Sequence, residues 1–235
     1  ISDHINKLDL SKPPFQAIGD SGILYTADAL ILATGAQAKW LGLKSENEFK
    51  GFGVSACATC DGFFYKGADI VVVGGGNTAV EEALFLTKFA SKVTLIHRRN
   101  TLRAEKILQN RLYNNEKISI YWFHELVEVM GSDSPKGVEA VKVRNVETGN
   151  ETIINCKGVF IAIGHAPASQ LVKDQLDLHM GGYVVTKPDS TETSIPGVFA
   201  AGDLTDHKYR QAVTSAGMGC MAALEAEKFL SEKND

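Results

Sequence analysis

No apolar run in this chain approaches the roughly 20 residues that a membrane-spanning helix needs, which argues against a membrane protein. The amino terminus, Ile1-Ser2-Asp3-His4, has no basic-then-apolar signal peptide and no initiator Met, so a fragment or processed product is expected. Basic charge is also short: 24 Lys and Arg against 28 Asp and Glu leave a formal net charge of −4. Nonspecific nucleic-acid binding needs a basic surface to neutralise phosphates, so that class is set aside. Four cysteines in 235 residues are too few for a disulfide scaffold. Without a secretion signal a reducing, cytoplasmic compartment is expected, where disulfides tend to be catalytic or sensing. The chain also has no Gly-x-Gly-x-x-Gly ahead of its first buried-strand pattern, Ala27 to Gly35; the only glycines before Gly35 are Gly19 and Gly22.

What is present is concentrated between Cys57 and Ala79. Cys57-Ala58-Thr59-Cys60-Asp61-Gly62 leads through the apolar run Asp69-Ile70-Val71-Val72-Val73 to Gly74-Gly75-Gly76-Asn77-Thr78-Ala79. Val80, Ala83, Leu84 and Thr87 then repeat at helical spacing, which places a helix over 77–89. Strand, glycine-rich turn and helix in this order form the phosphate cradle of a dinucleotide fold: the first glycine allows the tight turn and the second lets backbone approach the pyrophosphate. The helix starting near Asn77 points its N–H groups at the phosphates.

The second strand, Val93–Ile96, ends in His97-Arg98-Arg99, with Arg103 one helical turn further on. An acidic residue there would hold the ribose of NAD, whereas arginines accommodate the extra phosphate of NADP. Guanidinium groups bind phosphate bidentately and stay charged at any relevant pH. A helix with Ala104, Ile107, Leu108 and Leu112 on one face leads to a third strand at 118–123, so this region reads as half of a doubly wound sheet. Alternating segments at 125–130, 137–144 and 151–156 read as three antiparallel strands inserted into it. Gly158–Gly164 echoes residues 29–35 and marks a second crossing between domains. Two short strands are expected at 14–18 and 22–26, a loop-rich connection at 36–56, and a helix from about Gln211 to Leu230. Cys156 and Cys220 both read as core residues.

Cys57 and Cys60 have three readings. A zinc site lacks its remaining ligands, because no second Cys-x-x-Cys or His pair supplies them. A structural disulfide across two residues is at odds with a reducing compartment, which leaves a redox dithiol. Asp61 either acts as the acid or base for thiol–disulfide exchange or caps a helix, and these roles are compatible. Nicotinamide gives up a hydride, whereas a disulfide must be opened by two electrons arriving at sulfur, so the pairing of NADP loop and dithiol implies FAD. Gly202-Asp203-Leu204 at a strand end and Arg210-Gln211-Ala212 at a helix start fit a flavin contact, although Gly-Asp alone is only a turn.

These motifs, in this order, together with Tyr209 ahead of Arg210, closely resemble the low-molecular-weight bacterial-type thioredoxin reductases over essentially the whole chain. The resemblance implies an α/β protein with two Rossmann-like dinucleotide-binding domains, the NADPH domain inserted into the FAD domain. The FAD domain would comprise residues 1–38 and 165–235, and the NADPH and redox-disulfide domain residues 39–164. It further implies homodimers, thioredoxin as partner, Asp61 as the acid that protonates a thiolate, and flavin contacts from Asp203 and from Arg210 to Ala212. Disulfide and nicotinamide would each have to meet one flavin, so the domains would swivel about crossings near 36–39 and 164–166. The strand, glycine loop and helix that would cradle the FAD pyrophosphate are missing, which is expected if the sequence is the retained part of a longer protein. A related flavoprotein that reduces a peroxiredoxin and a flavin-free NADP-binding redox module are the alternatives. The first usually carries a redox motif unlike Cys-Ala-Thr-Cys, and the second would not turn over.

Overall fold

The structure is a computed structural model that describes residues 1–179 and 181–234. The chain forms two compact units, one from Ile1–Gln37 with His165–Asp235 and the other from Ala38–Gly164. The first unit opens with β1 (Ile5–Asp9), β2 (Phe15–Gly19), β3 (Leu24–Ala27) and β4 (Leu30–Leu32), and β5 (Ala36–Ala38) lies where the chain leaves it. The central unit then holds α1 (Lys44–Glu48), β6 (Val54–Ser55), α2 (Ala58–Asp61), β7 (Asp69–Gly74), α3 (Asn77–Leu86) and β8 (Lys92–His97). It continues through α4 (Lys106–Tyr113), β9 (Ile118–Trp122), β10 (His124–Asp133), β11 (Lys136–Asn145), β12 (Glu151–Asn155) and β13 (Gly158–Ala162). The chain returns to the first unit with β14 (His165–Pro167), β15 (Val198–Ala200) and the long helix α5 (Ala212–Asn234).

The central unit is organised by a parallel sheet in the order β6-β13-β7-β8-β9. Its central strands are continuous apolar runs, Ile70–Val73 in β7 and Val159–Ala162 in β13, because both of their faces are covered. Ile70 and Val72 of β7 join Phe160, Val93 and Leu95 in a core under α3 and α4, where Val80, Ala83 and Leu86 meet them. Val71 and Val73, one residue out of phase, face Val129, Val141 and Val143 of the antiparallel meander β10-β11-β12. Each such fully buried aliphatic side chain contributes roughly 1.5–3 kcal/mol. The result is a helix layer, a parallel sheet and an antiparallel layer. In the first unit β1-β2-β3 form an antiparallel meander, and β4 pairs in parallel with β15. Its cores hold Leu10, Phe15, Leu32 and Val198, and, under α5, Phe199, Ala222 and Ala226. Among the described residues no helix is long and apolar enough to cross a membrane.

Several expectations are corrected. Strand β1 has no counterpart in the sequence pattern: Asn6 and Lys7 break any alternation, and the segment is held extended by pairing with β2 and by the Gln175 side-chain amide, which donates to the Leu8 carbonyl at 3.1 Å. The connection 36–56 contains α1 and β6, whose few residues carry too weak a pattern to read alone. Helix α3 stops at Leu86, because Lys88 and Phe89 donate to Phe85 and Leu86 in a tighter turn while the Thr87 hydroxyl donates to Leu84. Helix α4 begins only at Lys106, because the preceding segment is tied to the glycine loop: the Arg103 amide donates to the Gly75 carbonyl at 2.7 Å. Ile107 therefore lies outside the core, 66 % exposed, while Leu112 is buried. Cys220 is exposed, not core: the buried side of α5 is set by Ala222 and Ala226, and two residues is about 200° around a helix. Cys156 is buried as expected, and burial pushes its thiol up to about 12.

Gly74 marks how tightly the sheet and α3 approach. A Cβ there would fall 2.4 Å from the Ala162 carbonyl oxygen and 2.6 Å from Ala79 Cβ, so β13 and the first turn of α3 close on bare backbone. Gly74→Ala should lower stability by about 1–3 kcal/mol, as overpacking against groups that cannot yield does. Thermal and denaturant unfolding measure this; an unchanged midpoint would mean that β13 and α3 can move apart freely.

Candidate active site

The carboxyl ends of β7, β8 and β13 open onto a cavity of about 850 Å³ within the central unit. Gly74, Gly75 and Gly76 form its floor with Thr78, and Arg98 and Arg103 line it on the β8 side. Ala162, Ile163 and Gly164 line it where β13 ends. This is the end of a parallel sheet at which nucleotides bind, with α3 starting at Asn77 behind the glycines. A Cβ on Gly76 would meet nothing within 4 Å, so the loop's third glycine borders open space that a ligand can fill.

His97 is the joint of this site. Its imidazole is 6 % exposed, with Nδ1 2.9 Å from the Gly74 carbonyl and Nε2 2.9 Å from the Thr101 carbonyl. Each ring nitrogen thus lies within hydrogen-bond distance of a backbone carbonyl, to which only an N–H can donate, and His97 adds only its ring to the cavity wall. Asn77 is similarly engaged: its Oδ1 accepts the Glu105 amide at 2.8 Å and its Nδ2 donates to the Glu105 carboxylate at 3.3 Å. Ala79 is fully buried and packs against the sheet, and Arg99 is exposed but absent from the cavity wall. Of the residues read as nucleotide contacts, the cavity gathers Gly74, Gly76, Thr78, His97, Arg98 and Arg103. It also gathers residues the sequence did not flag: Leu41 and Leu43, His124, and the Glu125–Arg144 ion pair at 2.6 Å. Only the pairing of β10 with β11 brings these last two together.

Cys57 and Cys60 form a disulfide in the same unit. Cys57 is the N-cap of α2, and its Sγ accepts the Cys60 amide at 3.2 Å. The Cys57 amide in turn donates to Ser55 Oγ at 3.0 Å. An N–H aimed at sulfur favours the thiolate once the bond is opened. Asp61 follows on α2, and its side chain makes no capping bond to the 62–65 turn, so the capping reading is not seen. Burial raises the Tyr65 phenol above its usual value, and the Asp61 charge adds to the effect, which puts that carboxylate within electrostatic reach of the ring. Phe63 and Phe64, 67 % and 80 % exposed, stand immediately after the disulfide. Among the described residues no group of three or more His, Cys, Asp and Glu side chains is placed to hold a metal ion.

The flavin-contact candidates lie in the first unit. Gly202, at φ +73°, turns the chain after β15 into a single 3-10 turn, Gly202–Leu204. Asp203 Oδ1 accepts from Ser215 Oγ at 3.0 Å, which ties that turn to α5. Asp206, 7 % exposed, organises the loop that leads into α5. Its carboxylate accepts the amides of Lys208, Tyr209 and Arg210 at 2.8–2.9 Å and the Thr214 hydroxyl at 3.2 Å. Arg210 is thereby held at φ +51°, and Gln211 and Ala212 enter α5. The Gly202–Leu204 turn and the start of α5 are the two segments of this chain read as flavin contacts. Among the described residues the Gly74–Ala79 unit is the one glycine-loop cradle, so this chain's own fit to FAD stops short of the pyrophosphate.

Comparison with known proteins places this geometry. Residues 4–219 match the family model of pyridine nucleotide-disulphide oxidoreductases. A thioredoxin reductase of Rickettsia felis is 60% identical over 232 residues, covering 99% of this chain and 75% of its own length. A thioredoxin reductase of Coxiella burnetii is 54% identical over 241 aligned residues, covering 100% of this chain and 74% of its own length. Among solved structures, a thioredoxin reductase from Giardia duodenalis superposes with a TM-score of 0.93 at 39% identity, covering 98% of this chain and 75% of that one. The class is therefore that of the pyridine nucleotide-disulphide oxidoreductases. Within it, the chain belongs to the thioredoxin reductases.

Asp206 offers a pH test of the loop. Burial alone would raise its carboxyl, but the three amides and the Thr214 hydroxyl outweigh burial and hold it below its usual 3.8. A depressed carboxyl stabilises the fold above the unfolded pKa, and that stabilisation is lost as pH falls through the folded value. Asp206→Asn keeps the size but turns a donor toward donors, so it should cost about 2 kcal/mol at neutral pH. The difference between wild type and variant should shrink once pH drops below about 4, in chemical unfolding followed at several pH values. A gap independent of pH would refute the ionised role.

Proposed function

We propose that this thioredoxin reductase transfers electrons from NADPH, by way of FAD, to the disulfide of thioredoxin through Cys57 and Cys60. The observation that carries the proposal is one folding unit that holds both a dinucleotide cavity and a redox disulfide. The amides of the glycine loop and of the first turn of α3 would hold the pyrophosphate, and Arg98 and Arg103 the 2′-phosphate. When bound, FAD would supply the conversion of a hydride into an electron pair that can be delivered to sulfur. Gly202, Asp203, Leu204 and the segment Arg210-Gln211-Ala212 are the residues of this chain that would bind its flavin end.

At the sulfurs, the chain's own groups divide the work. Opening the disulfide takes two electrons and one proton and leaves a thiol and a thiolate; the Cys60 amide stabilises charge on Cys57, and Asp61 holds the proton. A thiolate then attacks the disulfide of thioredoxin and forms a mixed disulfide. The second sulfur displaces it, restoring Cys57–Cys60 and leaving thioredoxin a dithiol. Net, NADPH and one proton become NADP⁺ while thioredoxin gains two hydrogens. Phe63 and Phe64 form an apolar surface beside the exchanging sulfurs, suited to a protein partner. The family resemblance further supports a homodimer working in the cytoplasm.

Cys57→Ser or Cys60→Ser should abolish thioredoxin reduction while NADPH still bleaches the flavin of the intact protein, read by stopped-flow absorbance. Normal turnover in either variant would refute the dithiol role. Arg98→Ala combined with Arg103→Ala should weaken NADPH by roughly 100-fold and NADH by less than about threefold, two charge-assisted bonds being lost. Arg99→Ala should matter less than either, because Arg99 does not line the cavity. Equal losses for the two nucleotides would show that these arginines do not read the phosphate.

A further inference from the structure

Glu46 is a charged-type residue with no solvent exposure at all, and no step proposed above uses it. It sits in the first turn of α1, and its two carboxylate oxygens accept different backbone amides, Leu41 at 2.9 Å and Gly42 at 2.8 Å. The loop it holds is not remote from the nucleotide cavity, because Leu41 and Leu43 line that cavity. Other contacts fix the base of the loop: the Lys39 amide donates to the Gly164 carbonyl at 2.9 Å, and Trp40 and Leu43 pack on the meander core. Ser45 Oγ accepts the Val129 amide at 2.9 Å and anchors α1 to β10.

The position of this loop along the cavity follows from the sheet. The glycine loop at the end of β7 fixes the pyrophosphate, and the arginines after β8 fix the phosphorylated ribose on one side. The other half of the dinucleotide must then extend across β13, the neighbour of β7 on the opposite side. Gly164, just past β13, is where Lys39 is bonded, two residues before Leu41. We infer that Glu46 is a positioning residue for the nicotinamide half of the bound dinucleotide: its carboxylate clamps the 41–42 backbone so that Leu41 and Leu43 form a fixed apolar wall beside the end of β13. The inference rests on the NADPH reading of the cavity.

A glutamine in place of Glu46 has the same size, yet one of its two polar atoms is a donor. It can satisfy one amide and must oppose the other. In the intact protein, Glu46→Gln should therefore weaken NADP⁺ by about tenfold, one amide bond being lost. Binding of 2′,5′-ADP, which carries only the adenosine half, should stay within about twofold. Calorimetric titration of both ligands reads this split, which a general loss of folding would not produce. Leu41→Ala, which leaves the buried carboxylate alone, should give the same selective loss and serves if the first variant fails to fold. Equal weakening of both ligands, or no change in either, would overturn the positioning role. If wild type bound neither ligand, the NADPH reading itself would fail, and that outcome is distinct from the other two.

Discussion

A side chain is missing at Gly75, and the imidazole of His97 occupies the room it would need: a Cβ there would lie 2.1 Å from the ring's Cε1. Because the ring fits, its nitrogens reach the Gly74 carbonyl on one side and the Thr101 carbonyl on the other. The Arg103 amide closes the same joint by donating to Gly75. The phosphate loop and the arginine segment, about 20 residues apart along the chain, are thereby locked in register. Arginines on an untethered loop would sample many positions and lose that entropy on binding. Here they are pre-placed, and the same tether delays the start of α4.

The preceding glycine has a different role. At Gly74 the sheet, the first turn of α3 and the end of β13 converge on backbone, so the three walls of the cavity share one point of closest approach. Buried faces on both sides of β7 then resist any shift of that point, since sliding the strand by one residue would exchange its two valine faces. The rigidity of the cavity is a property of the parallel sheet, whereas the walls formed by the 41–43 loop and by Arg144 are held from outside it.

The two candidate cofactor regions use related devices on different backbones. A buried polar side chain gathers several main-chain groups and fixes a loop whose other residues face a ligand. His97 does so with two carbonyls, Glu46 with two amides, and Asp206 with three amides and a hydroxyl. In each case the group is nearly or fully enclosed, so its bonds are not shared with water and breaking one leaves a partner unsatisfied. The sulfur of Cys57 follows the same pattern on a smaller scale, with the Cys60 amide as its donor.

The sequence alone determined whatever depends on neighbours along the chain. The apolar runs of β7 and β13, the glycine turn before α3, the arginines after β8 and the Cys-x-x-Cys spacing of Cys57 and Cys60 are local patterns, and strand, turn, helix and disulfide are local consequences. The same locality misled at Ile107 and Cys220, where contacts distant along the chain decided where the helix began or which of its faces turned inward. Only the tertiary structure decided which of the motif residues meet the cavity. Asn77 and the nitrogens of His97 are consumed by backbone and side-chain partners as far as 28 residues away, and Arg99 stays off the cavity wall. Leu41, His124 and Arg144 join the site because β10, β11 and the crossing beside β13 bring them there. Hydrogen bonds between segments far apart in sequence cost loop entropy that no local pattern records, and they form only where a packed core has already brought both partners together.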